Sequence, residues 1–243
     1  MTLLKSQIVK SLKSKASKEK ALLMARFFKT GKGDYAEGDI FHGVSVPNQR
    51  LVAKKYYPQS DAATVRLLLR SNFHEERLTA LFILTYLFEA ANRKGEGKKY
   101  VELYLQEIEY VNNWDLVDST AYKILGKWLE DKDRKILYQL ASSNSIWENR
   151  IAIVATYHFI KKQDFKDLFQ LSTKLLFHPH DLIHKAIGWM LREAWKVNPG
   201  PVENFLTQNA SKMPRTMLRY AIEKMRDSTR KYYMNLKNPT FKG

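Results

Sequence analysis

Ser71–Leu84 reads SNFHEERLTALFIL, and three later stretches can be laid over it: NNWDLVDSTAYKIL from Asn112, SNSIWENRIAIVAT from Ser143 and HPHDLIHKAIGWML from His178. Each opens on a polar turn, reaches a charged residue, then a small residue, then an apolar run. Each is preceded by a further amphipathic stretch. The spacing of roughly 32 to 41 residues is that of two-helix repeats. Such repeats cannot bury their apolar faces alone, so they stack, and the expected architecture is an all-α, curved α-solenoid with a concave binding face. No break in composition divides the repeats, so one domain is expected over 1–243.

The rest of the chain keeps the same period. Arg77–Ala90 and Asn149–Lys161 carry apolar residues at three- and four-residue intervals. The spacing predicts helices over 4–16, 18–29, 47–57, 60–71, 74–91, 97–111, 114–131, 134–142, 147–162, 165–176, 181–197, 200–210 and 214–226. Only 10 glycines and 7 prolines punctuate 243 residues, and no Asn-Gly or Asp-Gly hairpin signal occurs, which argues against a many-stranded sheet. A hydrophobic content of 44%, 12% of the chain being aromatic, supports a real core.

Charge and cysteine count narrow the function. With 41 Lys and Arg against 25 Asp and Glu, the net charge is +16, which speaks about partners rather than fold. Nucleic acid is the polyanion such a chain most often meets, because phosphate neutralisation drives binding. The absence of cysteine excludes a disulfide scaffold and any thiolate zinc site. The opening MTLLKSQIVKSLKSK has no apolar core of a signal peptide, and the apolar run Leu81–Phe88 is too short to span a bilayer. The expectation is a soluble cytoplasmic protein, associated with the nucleoid when bound to DNA, without membrane contact.

One residue breaks the pattern of the repeats. Their shared charged position holds Arg77, Asp118, Arg150 and Lys185. Three cations suit a phosphate backbone, whereas an acid on the same face repels it and needs another purpose. Trp114 lies one turn before Asp118, Trp147 precedes Arg150, and Trp189 follows Lys185 by one turn. Aromatic planes beside cations are equipment for gripping sugars and bases. Trp147 fits packing equally well. Asp115 differs from Asp118, because Asn113 reads as an N-cap and an acid in the first turn is explained by the helix dipole. Asp118 could instead be a structural acid paired with Arg150 or Lys185.

Two other features carry weaker signals. Thr30–Gly43, TGKGDYAEGDIFHG, has four glycines but lacks the strand and the Gly-Lys-Ser/Thr ending of a phosphate loop. It reads as a flexible loop, one that could fold against a partner, before Val46-Pro47 reopens a helix. His178, His180 and His184 lack the acid of a metalloprotease signature, and His178-Pro179-His180 reads as the turn before a helix. No metal site is expected.

NWDLVDS (Asn113–Ser119), SIWENRIAI (Ser145–Ile153) and HKAIGWMLREAWKVNP (His184–Pro199) resemble the AlkD family of DNA glycosylases. The likeness extends to MARFF (Met24–Phe28) and GVSVPNQR (Gly43–Arg50), and so covers most of the chain. It implies a HEAT-like solenoid whose concave basic groove holds duplex DNA. It implies removal of cationic N3- and N7-alkylated purines without base flipping, leaving an abasic site, with no cofactor and no obligate protein partner, by a monomer. The family's catalytic acid falls on Asp118, its sugar-contacting tryptophans on Trp114 and Trp189, and its active-site arginine on Arg150. DNA contacts fall on Arg192 and on the helix start Val46, Pro47 and Arg50. Phe27, Arg77, Trp147 and Lys185 complete the expected DNA-binding set.

Two departures stand out. The aromatics that the family often carries before Lys-Ala-Ile-Gly-Trp are Asp181 and Leu182 here, and Thr30–Gly43 is longer than in compact members. Two rival readings remain: a non-catalytic HEAT-repeat binder of damaged or structured DNA, and a protein scaffold with a basic surface. The latter would need neither the acid nor the tryptophans.

Overall fold

The computed structural model describes residues 3–236. Among them the chain is all-α, without a β-strand, and an isolated bridge joins Ile40 to Phe73. It divides into two compact units, Met1–Thr120 and Ala121–Gly243.

The first unit holds α1 (Leu3–Lys13), α2 (Lys18–Phe27), α3 (Val46–Tyr56), α4 (Ala62–Leu69), α5 (His74–Asn92), α6 (Lys98–Gln106) and most of α7 (Trp114–Ala121). Helix starts follow local chemistry. The Ser17 hydroxyl accepts from the Lys20 amide at 3.3 Å, and the Asp61 carboxylate accepts from the Thr64 amide at 2.8 Å. Pro47 sits in the first turn of α3, where its missing N–H costs nothing. Helix α5 forms the axis of this unit and packs against α3, α4 and α6. Leu78, Leu81, Phe82, Ile83 and Leu84 are buried along it. Each such side chain contributes about 1.5–3 kcal/mol of transfer free energy.

The second unit holds α8 (Lys135–Leu140), α9 (Ile146–Ala155), α10 (Tyr157–Ile160), α11 (Lys166–Lys174), α12 (Asp181–Val197), α13 (Pro199–Asn209), α14 (Arg215–Ala221) and α15 (Asp227–Asn235). It opens on a π-helical turn, Tyr122–Gly126. Helix α12 is amphipathic and buries Ile183, Ile187, Met190 and Leu191 against its neighbours α9, α13 and α14. His180 caps it, with Nδ1 accepting from the Leu182 amide at 3.1 Å, so His178-Pro179-His180 is the turn before a helix and His184 lies within that helix.

Three local features differ from the periodicity. The regular helix expected over 114–131 widens into the π turn, the one expected over 147–162 breaks at Thr156, and α15 lies beyond the last expected helix. Apolar spacing does not register a one-residue insertion inside a helix or a short break between two turns. Helix α15 buries little, Tyr233 apart, so it leaves a faint apolar stripe.

Gly188 marks where α12 and α14 come closest. A Cβ there would stand 2.5 Å from the Met217 carbonyl oxygen and 2.5 Å from the Tyr220 Cβ. Helix propensity alone favours Gly→Ala by about 1 kcal/mol. Overpacking against backbone outweighs that gain, so Gly188→Ala should destabilise the protein by about 1–3 kcal/mol. Urea unfolding measures it, and an unchanged or higher midpoint would contradict so close an approach.

Candidate functional site

Helix α7 begins on Trp114 and places Asp118 one turn in. The Asn113 side-chain oxygen accepts from the Trp114 amide at 2.8 Å, and Asp115 accepts from the Leu116 amide at 2.9 Å. Trp114 and Asp118 line an open cleft of about 730 Å³ together with Leu23, Met24, Phe27, Phe28 and Val46. Apart from Asp115, Asp118 and Ser119, its walls are apolar. Phe28 stacks on Trp114 with ring centroids 5.2 Å apart, and Phe27 meets Trp114 edge-on at 5.8 Å. Phe27 is 65% exposed and Val46 and Pro47 are exposed, so the rim of the cleft is apolar as well.

Beneath Trp114 lies a buried charge network that sequence spacing did not disclose. His74, 2% exposed, brings Nδ1 to 3.0 Å from Asp39 and Nε2 to 2.8 Å from Asp115. Arg77 bonds the other Asp39 oxygen at 2.6 Å, and Asn113 donates to Asp39 at 3.3 Å. Burial opposes charge on His74, but the Asp115 carboxylate and hydrogen bonds to Asp115 and Asp39 outweigh it and push its pKa up to about 9. Burial likewise opposes ionisation of Asp39, yet the His74 hydrogen bond and the Arg77 charge hold it below the usual carboxylate value.

The glycine-rich segment supplies Asp39 and is anchored rather than loose. Glu75, fully buried, accepts from the amides of His42 at 3.0 Å, Gly43 at 2.8 Å and Val44 at 3.1 Å. Phe28, Ala36 and Phe41 form a small buried cluster against which Trp114 packs. Gly43 has φ near +80°, and a Cβ on it would lie 2.0 Å from the Ser17 carbonyl oxygen, so only glycine fits. The expectation of a flexible loop is thereby corrected.

The expectation for Arg77 is corrected too. It is 3% exposed, and its guanidinium is committed to Asp39 and to the Ser71 carbonyl, so it is not presented to a phosphate. Arg50, expected at the phosphate-binding helix start, is half-buried with its guanidinium 3.9 Å above the Phe82 ring.

In the second unit, Arg150 is 5% exposed and donates to the Leu182 carbonyl, tying the start of α9 to that of α12. Lys185 pairs with Asp181 at 2.8 Å, so one of the two residues standing where aromatics were expected balances the charge of an expected DNA-binding lysine. Arg192 pairs with Glu193 at 3.2 Å and also with Glu223. Trp147 and Trp189 are half-buried. Trp189 continues a row of rings, Tyr157 at 6.1 Å and then Tyr122 5.1 Å further, with Lys161 at 4.5 Å from the Tyr157 centroid. The sequence reading missed Tyr122, Tyr157 and Lys161, although their aromatic and basic types were a usable signal. Among the described residues no group of three or more acids and histidines is placed to hold a metal ion, and no helix is long and apolar enough to cross a membrane.

The all-α chain thus places a tryptophan and a carboxylate side by side on the wall of one cleft. The model of the DNA alkylation repair enzyme family matches residues 8–225, and the chain belongs to that family. A solved structure described as a predicted DNA alkylation repair enzyme from Enterococcus faecalis is similar in fold, with a TM-score of 0.69 at 17% identity, over 88% of this chain and 98% of that one. No curated protein matches the sequence.

The charge on His74 has a measurable linkage. Its folded-state pKa is raised from 6.5 to about 9, so its contribution to stability is full below pH 6.5 and is lost as pH rises through about 9. Unfolding free energy from urea titrations should fall by on the order of 1–3 kcal/mol across that window. His74→Gln should be less stable at pH 6.5 and should lack this slope. Equal slopes in the two proteins would mean that His74 is neutral in the fold.

Proposed function

We propose that the protein is a monofunctional DNA glycosylase. It hydrolyses the N-glycosidic bond of cationic N3- or N7-alkylated purines in duplex DNA, without base flipping, and leaves an abasic site. The observation that carries this reading is Asp118, a carboxylate on the wall of a cleft otherwise lined largely by apolar side chains, one turn from Trp114. Family membership supports it independently.

The chemistry follows from charge. The alkylated purine departs with the electron pair of its bond to C1′ and thereby neutralises its own positive charge, so no general acid is needed. Positive charge develops instead at C1′ and the ring oxygen of the sugar. Asp118 stabilises that charge from a cleft wall that is otherwise largely apolar, and orients the water that adds to C1′ and accepts its proton. The faces of Trp114 and Trp189 favour the same cation, and Arg150 serves as the active-site arginine. Arg192, Lys185, Trp147, Arg50, Val46, Pro47 and Phe27 hold the duplex in a concave basic groove. The chain acts as one curved HEAT-like domain and as a monomer in the cytoplasm, without a cofactor.

Asp118→Asn keeps shape and removes charge. Under single-turnover conditions, release of an N7-alkylguanine should fall by about two to three orders of magnitude. Duplex affinity should hold or improve, because an anion facing phosphates is gone. Unchanged excision would defeat the mechanism, and loss of folding would make Asp118 a structural acid. Affinity of the wild type should fall linearly on a log–log plot against salt, and a flat plot would point to a partner without phosphates.

A further inference from the structure

We propose that His74 and Asp39 form a positioning pair for the active site: the His74 ring, held between Asp39 of the glycine-rich segment and Asp115 in the first turn of α7, fixes the start of that helix and so aims Trp114 and Asp118. The proposal rests on the glycosylase reading for the task being served, and on geometry for the device itself.

Both ring nitrogens of His74 face carboxylate oxygens, at 3.0 and 2.8 Å. A carboxylate only accepts, so both nitrogens donate and the ring is an imidazolium. Its partner Asp115 uses its other oxygen on the Leu116 amide, at the N-terminus of α7. Asn113, at that same helix start, accepts from the Trp114 amide through its side-chain oxygen and donates to Asp39 through its side-chain nitrogen. A second route runs through rings: Phe28 lies 4.8 Å from His74 on one side and 5.2 Å from Trp114 on the other. Phe41 covers His74 at 4.9 Å. The charged groups around the imidazolium are Asp39 from the loop, Asp115 from α7, and Arg77 from its own helix, which shares Asp39.

Charges withdrawn from water are a poor means of gaining stability, since an apolar core of equal volume does as well or better. They are a good means of fixing direction, because each hydrogen bond has a preferred line. The segment Thr30–Gly43 thereby acquires a purpose: it delivers the second carboxylate that keeps the imidazole charged and oriented. His74 and Asp39 do not line the cleft, so they act through Asp115 and Trp114.

The test uses the full chain. Asp39→Asn removes one carboxylate with little change of shape. Amide hydrogen exchange should quicken at 114–118 while the amides of α12 keep wild-type protection. Single-turnover base release should fall about ten- to a hundredfold, as for misplacement of a reacting group, with duplex Kd unchanged. Global loosening, or wild-type exchange together with a wild-type rate, would overturn the proposal. Wild-type protein provides a measurement free of any folding risk. Protection at 114–118, corrected for intrinsic exchange, should drop as pH rises through about 9, the value at which His74 loses its charge. Protection indifferent to pH would also overturn the proposal. Local loosening in a protein without glycosylase activity would leave the positioning device standing and sink the glycosylase reading instead.

Discussion

A histidine ring clasped between two carboxylates governs the first unit of this protein. His74, Asp39, Asp115 and Arg77 are two cations and two anions, His74, Arg77 and Asp115 buried and Asp39 half-buried. Any one of them alone in that place would be costly by several kcal/mol. Together they satisfy one another, and they come from three segments: the glycine-rich loop, α5 and α7. Neutralising the imidazole would leave two carboxylates facing each other across a ring. The network therefore joins the loop, α5 and α7 as a single piece, and Trp114 and Asp118 stand on that piece.

The helices, and the place of Asp118 among them, were legible in the sequence; the charge network was not. The four laid-over segments all prove to open helices, α5, α7, α9 and α12, and the charged residue of each lies about one turn in. Asp118 stood out as the one acid among cations, and it does line a cleft with Trp114. The alignment misled at Arg77. Period and spacing assign a residue to a face of a helix, but burial depends on what covers that face. Here the cover is Asp39, 38 residues away in sequence, within a stretch whose glycines suggested openness. Asp115 was explained by the helix dipole alone, and its bond to His74 spans 41 residues, beyond the reach of any local pattern.

Charge offers a similar lesson. A net charge of +16 is a sum, and a sum conceals internal pairing. Arg66 and Arg70 share Glu107, Arg134 is held by Asp164 and Asp167, and Arg192 by Glu193 and Glu223. These arginines serve the fold first, through the forked geometry that suits them to carboxylates. A polyanion approaching the protein meets a surface whose spare positive charge resides more in lysines, which are flexible and strongly hydrated. Such a surface favours sliding contact with a backbone over rigid recognition of any one phosphate.

The glycine-rich segment is two things joined end to end. From Asp39 to Val44 the chain is held by the bonds of Asp39 to His74 and of the His42, Gly43 and Val44 amides to Glu75, and Gly43 admits no side chain. Around Lys32 and Gly33 the chain is exposed and the space about it open, although Gly33 itself has φ near +81° and donates its amide to Glu37 at 2.8 Å. Changes of length concentrated at that tip cost a local turn and loop-closure entropy, which grows slowly with length. Lineages can therefore lengthen, shorten or decorate this protein at Lys32–Gly33 without disturbing the chemistry a few residues on. The same spot is where a fluorophore or an affinity handle can be spliced into the chain.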